Sequence, residues 1–323
     1  MAKTSLNISP ALQDAAVLLL KCNVKMKNGE KVLLITDREN CPVFIAISAA
    51  VKQLGGKLAE AYISPNREHS SPIPSLKEIA LKSDIIIAPT DKSVTHSPET
   101  REARKKRGAR VVSMPGVTTD MFIQGVSVDP EEIKDINFKL KKRILAAKEF
   151  HVTSPSGTDF HVSLMSKNCK GFEYNDHGDA SKKGEVTNLP YGEVYTFFEK
   201  GNGTLVIDRW TNKITQKKKA VLEVKEGKIV KWNKVAGAYV KHQLAAGECG
   251  LRVVEFGIGT NPLHKKPIGI VLYDEKVYGS VHFAFGGGGE IRQCGIHEDF
   301  IILNPTVTSN GKTIIRQGKF VFG

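Results

Sequence analysis

Residues 31–56 read Lys31-VLLITDRENCPVFIAISAAVKQLG-Gly56. The stretch from Val32 to Ile35 is continuously apolar and ends in Thr36, Asp37 and Arg38, as in a strand covered on both faces. Val43 to Leu54 reads as a helix, and Gly55-Gly56 stops it. The same unit recurs outward. Upstream, Ser9 to Lys27 reads as an amphipathic helix. Downstream come the strand Leu58-AEAYIS-Pro65, a short helix from Ser75 to Lys82 with a serine cap, and the strand Asp84-IIIAP-Thr90. A helix from Ser97 to Lys106 ends at Gly108, a fourth strand is Ala109-RVVSMP-Gly116, and Pro130 to Phe150 closes this half as a long helix. Such alternation predicts an open parallel sheet with helices on both faces and a crevice at the strand ends. No GxGxxG follows the first strand and no GxxxxGK[ST] occurs, so a scaffold or lid is expected here rather than a nucleotide site.

From His151 the character changes to strand-like alternation broken by glycine and asparagine turns, with one helix around Ala236 to Ala246. The expected fold class is therefore α/β plus α+β. An N-terminal open parallel-sheet domain covers 1–150, and a mostly antiparallel C-terminal α+β metal-binding domain covers 151–323, with the boundary between Lys148 and Ser154.

Composition narrows the classes. The chain has 323 residues, 41% hydrophobic and 25% charged, which is ordinary for a globular protein and leaves no long stretch to disorder. No apolar run reaches the roughly 18 residues a membrane span needs. The N-terminal apolar stretch is short, carries Asp14 and lacks a small-residue cleavage site, so no signal peptide is expected. Cys22, Cys41, Cys169, Cys249 and Cys294 are scattered and odd in number, with no CxxC pair. That pattern predicts a reducing, cytoplasmic setting, no disulfide framework and no cysteine-zinc site. The net charge of +13 concentrates in Arg101-EARKK-Arg107 and Gln216-KK-Lys219. With no helix-turn-helix, RNP or zinc-finger spacing, these read as solvated faces, and no nucleic-acid or membrane partner is expected.

The chemistry lies in the second half. In Gly295-IHEDFI-Ile302, His297 and Asp299 stand two apart before an apolar run; on a strand they project together and Glu298 faces away. In Lys276-VYGSVHFAF-Gly286, Val281, Phe283 and Phe285 share a core face. Ser280, His282 and Ala284 share the other, so two small residues leave space beside the imidazole. Two histidines and a carboxylate can hold zinc or form a facial triad for non-haem iron. Glu193 follows a proline-glycine turn at the start of a strand, and Glu255 is one charge in an apolar stretch. Such a charge is paired with a lysine or arginine, lies on a solvated strand face, or is bound to metal. If all five converge, three carboxylates favour two divalent ions, whose field lowers the pKa of a bound water.

At these residues the C-terminal half resembles the aminopeptidase T family of metallo-aminopeptidases, in its shorter prokaryotic branch. The matching segments are Gly157-Thr-Asp159, Asn188-LPYGEVYT-Phe197, Glu255-FGIGTNP, Asp274-EKVYGSVHFAFG, His297-ED and Pro305-TVTSNGK. The resemblance places Glu193, Glu255, His282, His297 and Asp299 on metal-ligand positions. It implies two divalent ions (zinc, cobalt, manganese or iron), a homodimer, a short-peptide substrate, and Glu193 or Glu255 as general base. Family peptidases carry an active-site tyrosine seven residues after the histidine matched by His282; here that position is Gly289. Tyr191, Tyr195 and Tyr278 are the alternatives for that tyrosine in space. A related enzyme, 2,5-dihydroxypyridine dioxygenase, is similar in scaffold but uses two histidines and an aspartate for iron and cleaves an aromatic ring. The sequence thus implies a metal-dependent aminopeptidase-like hydrolase, with a mononuclear iron ring-cleaving dioxygenase acting on a small molecule as the alternative.

Overall fold

The computed structural model describes residues 8–68, 71–164, 173–198, 200–210, 213–214, 219–288 and 292–321. These form two compact units. The first comprises residues 1–132 and 176–191, the second 133–175 and 192–323.

The first unit holds a five-stranded sheet in the order Lys57–Tyr62, Lys31–Thr36, Ile85–Ala88, Arg110–Ser113, Val186–Asn188, with every neighbouring pair parallel. Strand residues Leu33, Ile35, Ile86, Ala88 and Val111 pack on one face with Leu76, Ala80 and Ala103 of the helices that follow. Val32, Leu34, Ile85, Ile87 and Val112 are equally buried on the other face. The helices Pro10–Leu18, Pro42–Gln53 and Thr119–Val126 contact one another. The expected α/β architecture is therefore present. Helix ends follow local chemistry: Ser97 Oγ accepts from Thr100 N at the start of Pro98–Arg107, and Gly108 ends it at φ 73°. A cavity of about 360 Å³ lies at the amino ends of the strands, lined in part by Glu30, Asp84, Arg107 and Arg110. Four of its ionic groups pair, Arg110 with Glu30 and Arg107 with Asp84, each at 2.6 Å.

The second unit is a sandwich of an eight-stranded and a seven-stranded sheet. Phe150, Phe160, Leu205 and Leu222 of the first sheet share one core with Phe256, Phe283, Phe285 and Phe300 of the second. Aromatic rings interlock there, with Phe160 edge-on to Phe283 at 5.3 Å and Phe285 stacked on Phe300 at 4.5 Å. The long helix stops at Ala146, short of the expected Phe150, because Glu149–Thr153 is a strand. Phe150 and Val152 enter the core while Glu149 and His151 face out, a period of two that a helix cannot satisfy.

One expectation is corrected. Cys249 and Cys294 form a disulfide that ties the turn after helix Lys234–Ala245 to strand Arg292–Ile302. Their Cα atoms lie 5.8 Å apart after a separation of 45 residues, a proximity that sequence spacing does not reveal. Cys22 and Cys41 are free, and Cys169 lies outside the described residues. Among the described residues, no helix is long and apolar enough to cross a membrane.

His264 is completely buried, stacks on Tyr273 at 3.7 Å and has no hydrogen-bond partner at either ring nitrogen. Burial, followed by the charge of Lys276, lowers its pKa to about 4. The unfolded chain therefore binds one more proton than the folded chain between pH 6.5 and about 4, and stability falls as pH falls through that window. The loss attributable to His264 should reach roughly 3 kcal/mol. Urea unfolding as a function of pH should show His264→Phe losing less stability than wild type over this interval.

Candidate functional site

The site occupies the face of the seven-stranded sheet that points away from the core. Four adjacent strands build it: Glu193–Phe197, Val253–Gly259, Val281–Gly288 and Arg292–Ile302. Their register pairs Glu193 with Gly259, Gly257 with His282, Glu255 with Ala284, Ala284 with Asp299, and Gly286 with His297. All five sequence-predicted residues thus share one face, while Phe256, Phe283, Phe285 and Phe300 enter the core from the other. Glu298 points away, as expected, and accepts from Trp210 Nε1 and Gln243 Nε2.

The five side chains form a continuous chain of contacts. His282 Nε2 lies 3.5 Å from Glu193 Oε2 and 3.4 Å from Glu255 Oε1. His297 Nε2 lies 3.9 Å from Glu255 Oε2 and 3.6 Å from Asp299 Oδ2. Glu255, His297 and Asp299 each offer a ligand atom within 4.8 Å of the others. Glu193, Glu255, His282 and Asp299 are buried, whereas the His297 side chain is 43% exposed at the rim.

Backbone geometry makes this crowding possible. A Cβ on Gly257 would stand 2.0 Å from His282 Nε2, so the missing side chain is the space the imidazole fills. A Cβ on Gly259 would meet Val277 O at 2.2 Å. That glycine lets the Glu275–Val277 backbone lie against the sheet face beside Glu193. Asn137 Nδ2 donates to Glu193 O at 3.1 Å and Thr260 Oγ1 donates to Asn137 Oδ1 at 2.6 Å, which anchors the first glutamate.

Two residues of the cluster escaped the sequence reading. Lys276, with no exposed surface, donates from Nζ to Glu193 Oε1 and to Glu275 Oε2, each at 2.7 Å. The signal was there: Asp274-Glu275-Lys276 is a charged triplet inside an otherwise apolar run from Ile268 to Val281. Burial alone would lower the Lys276 pKa, but Glu193 and Glu275 outweigh it and hold the ammonium above its ordinary value. Burial pushes Glu275 up to about 8 and raises Glu255. Burial opposes charge on both imidazoles, yet the carboxylates prevail: His282 rises to about 9, chiefly through Glu255 and Glu193, and His297 rises well above its usual value through Asp299. Burial would raise Asp299, but His297 draws it below the usual aspartate range. The cluster therefore calls for positive charge, which imidazolium protons supply in the absence of an ion.

The residues fit a divalent metal. Both ring nitrogens of His282 are buried without a hydrogen-bond partner, an arrangement an ion at Nε2 would relieve in part. His297 Nδ1–H donates to Gly287 O at 2.6 Å, which leaves the Nε2 lone pair directed toward Glu255 and Asp299. Of the tyrosines considered, Tyr191 donates to Val128 O in the first unit, and Tyr278 packs edge-on to Phe320. Tyr195 shares the site face, opposite Gly257. Gly289 lies outside the described residues. Asp159 is on the other sheet and 69% exposed, and takes no part in this cluster.

A parallel-sheet unit joined to an antiparallel sandwich that bears a buried histidine-carboxylate cluster defines the class of protein. The chain belongs to the NicX family, described as 2,5-dihydroxypyridine 5,6-dioxygenase, whose profile matches residues 16–238. That span includes Glu193 and ends before Glu255, His282, His297 and Asp299. The fold is shared with 2,5-dihydroxypyridine dioxygenase from Pseudomonas putida KT2440, at TM-score 0.78 and 17% identity over 97% of both chains. It is also shared with wild-type AmpT from Thermus thermophilus, at TM-score 0.69 and 15% identity over 97% of this chain and 99% of that one. No curated protein matches the sequence. The expected scaffold, common to the aminopeptidase T and dioxygenase types, is thus present.

Three substitutions test the geometry. Gly257→Ala should displace the His282 ring and weaken divalent-metal binding by about 10–100-fold while the chain stays folded; metal titration beside circular dichroism reads both. Lys276→Met leaves two buried carboxylates without their cation and should cost about 3–5 kcal/mol in urea unfolding. Glu275→Gln, which keeps the Lys276–Glu193 pair, should cost much less.

Proposed function

We propose that this protein is a mononuclear iron(II) ring-cleaving dioxygenase for a dihydroxylated N-heteroaromatic compound. The observation that carries this reading is the Lys276–Glu193 ion pair. An ammonium already holds one oxygen of Glu193 and competes with any second cation there. With Glu275 protonated below its raised pKa of about 8, the remaining carboxylates, Glu255 and Asp299, balance a single divalent ion, with His297 and His282 as neutral donors. Membership of the NicX family and the fold shared with the Pseudomonas enzyme support the same reading.

In this assignment His297, Asp299 and Glu255 hold the ion, and His282 beside Glu255 completes the set. Bound there, iron(II) would supply the oxygen-activating chemistry of ring cleavage. The chain's own residues do the rest. Gly287 O fixes the His297 tautomer through Nδ1. Lys276 holds one oxygen of Glu193, whose other oxygen faces His282, so this carboxylate is placed to take the proton a ring hydroxyl gives up. The aromatic floor beneath the sheet keeps water from the buried side of the cluster.

The hydrolase reading retains one observation: Glu193 stays in contact with His282, so the five residues are continuous, as two ions would require. One experiment separates the two. Anaerobically purified wild type should carry one iron per chain, keep it in Glu193→Ala and lose it in Glu255→Ala, by elemental analysis. Iron-loaded wild type should consume oxygen in step with the loss of 2,5-dihydroxypyridine. Two ions per chain that are both lost in Glu255→Ala, cleavage of N-terminally varied peptides and no oxygen uptake would establish the hydrolase instead.

A further inference from the structure

On the opposite side of the sandwich, the outward face of the eight-stranded sheet carries a second group of metal-ligating side chains. Strands Glu149–Thr153 and Asp159–Ser163 run antiparallel, and their register places His151 directly opposite His161 and Thr153 opposite Asp159. The alternation that buries Phe150, Val152, Phe160 and Val162 turns His151, Asp159 and His161 outward together. The two imidazole rings stack at 4.0 Å with an interplanar angle of 4°. His151 Nε2 meets Asp159 Oδ1 at 2.7 Å. One ligand atom from each of the three residues lies within 4.8 Å of the other two.

We propose that His151, Asp159 and His161 form a separate surface site for one borderline first-row divalent ion, zinc or copper. The donor chemistry argues for that class: two imidazoles and one carboxylate suit these ions, whereas magnesium and calcium prefer oxygen ligands alone. Backbone register argues for the place, with the stacked rings turning so that their nitrogens converge on the ion. Both histidines sit on rigid paired strands, and side chains directly opposite in such a pair are close enough to share one ion. The hydrogen bond between His151 Nε2 and Asp159 Oδ1 would give way to contacts with the ion. Flanking positions on the same face, Asn202 beside His161 and Thr308 beside His151, bring no charge to compete. An ion there would cross-link two strands of the sandwich and, by linkage, stabilise the fold. This site is independent of the proposed dioxygenase chemistry.

Because the three side chains are at the surface, their replacement should leave the fold intact. Zinc is titrated calorimetrically into the full chain in a His297→Ala background, which disables the inner cluster, with and without His151→Asn and His161→Asn. One equivalent of zinc should bind in the background chain. The two added substitutions should weaken that equivalent by at least about tenfold. Copper(II) loaded on the same chains should show an electron paramagnetic resonance signal with two-nitrogen coupling that the added substitutions abolish. Zinc binding of equal affinity and stoichiometry in both chains, or a copper signal unchanged by the substitutions, would overturn the proposal. So would binding in the background chain only at millimolar zinc.

Discussion

A lysine ammonium with no exposure to water is tolerated only beside compensating groups, and here Glu193 supplies the counter-charge and Glu275 a second acceptor oxygen, at 2.7 Å each. The candidate site is organised around that constraint. Glu193 cannot leave Lys276 without stranding a buried charge, so its place at the end of the cluster is set. The backbone that carries Lys276 must then lie against the sheet, which Gly259 permits by having no Cβ. From Glu193 the contacts run through His282 and Glu255 to His297 and Asp299, each side chain meeting the next within 3.9 Å.

The sheet beneath performs two tasks with one periodicity. Its inner face is an aromatic core, dense enough to hold the strands in register, and its outer face is a row of ionisable groups. Neither would survive a slip of one residue, which would bury the charges and expose the phenyl rings. The rigidity that the core provides keeps the carboxylates of the cluster close together. The histidines absorb the excess negative charge by holding protons more tightly than usual, so the cluster is poised to exchange protons for a cation.

Kinship and chemistry bear on different parts of the chain. The family match covers the parallel-sheet unit and the start of the sandwich, whereas most of the candidate ligands lie beyond it. The fold is shared with a protein named as a dioxygenase and with AmpT, so fold alone does not choose between ring cleavage and hydrolysis. The proposed choice between them is local, resting on the buried ammonium that already holds one carboxylate of the cluster.

Much of this was legible in the chain. The apolar strands and capped helices of the first half, and the two-residue spacing of His297 and Asp299, state their local geometry directly. Small residues beside His282 likewise announce the space its ring needs, because strand side chains alternate. Glu255 stood out as a charge among apolar neighbours. Local period says nothing, however, about which distant groups meet. Lys276 pairs with Glu193 across 83 residues, Cys249 with Cys294 across 45, and Val186–Asn188 joins the parallel sheet after a long excursion. His151, Asp159 and His161 come together only when the hairpin sets them side by side. Sequence determined which face each side chain would take, since that follows from backbone geometry one residue at a time. Only the tertiary structure decided which faces and charges would be brought together, since those contacts depend on chain closure over distances that no local pattern encodes.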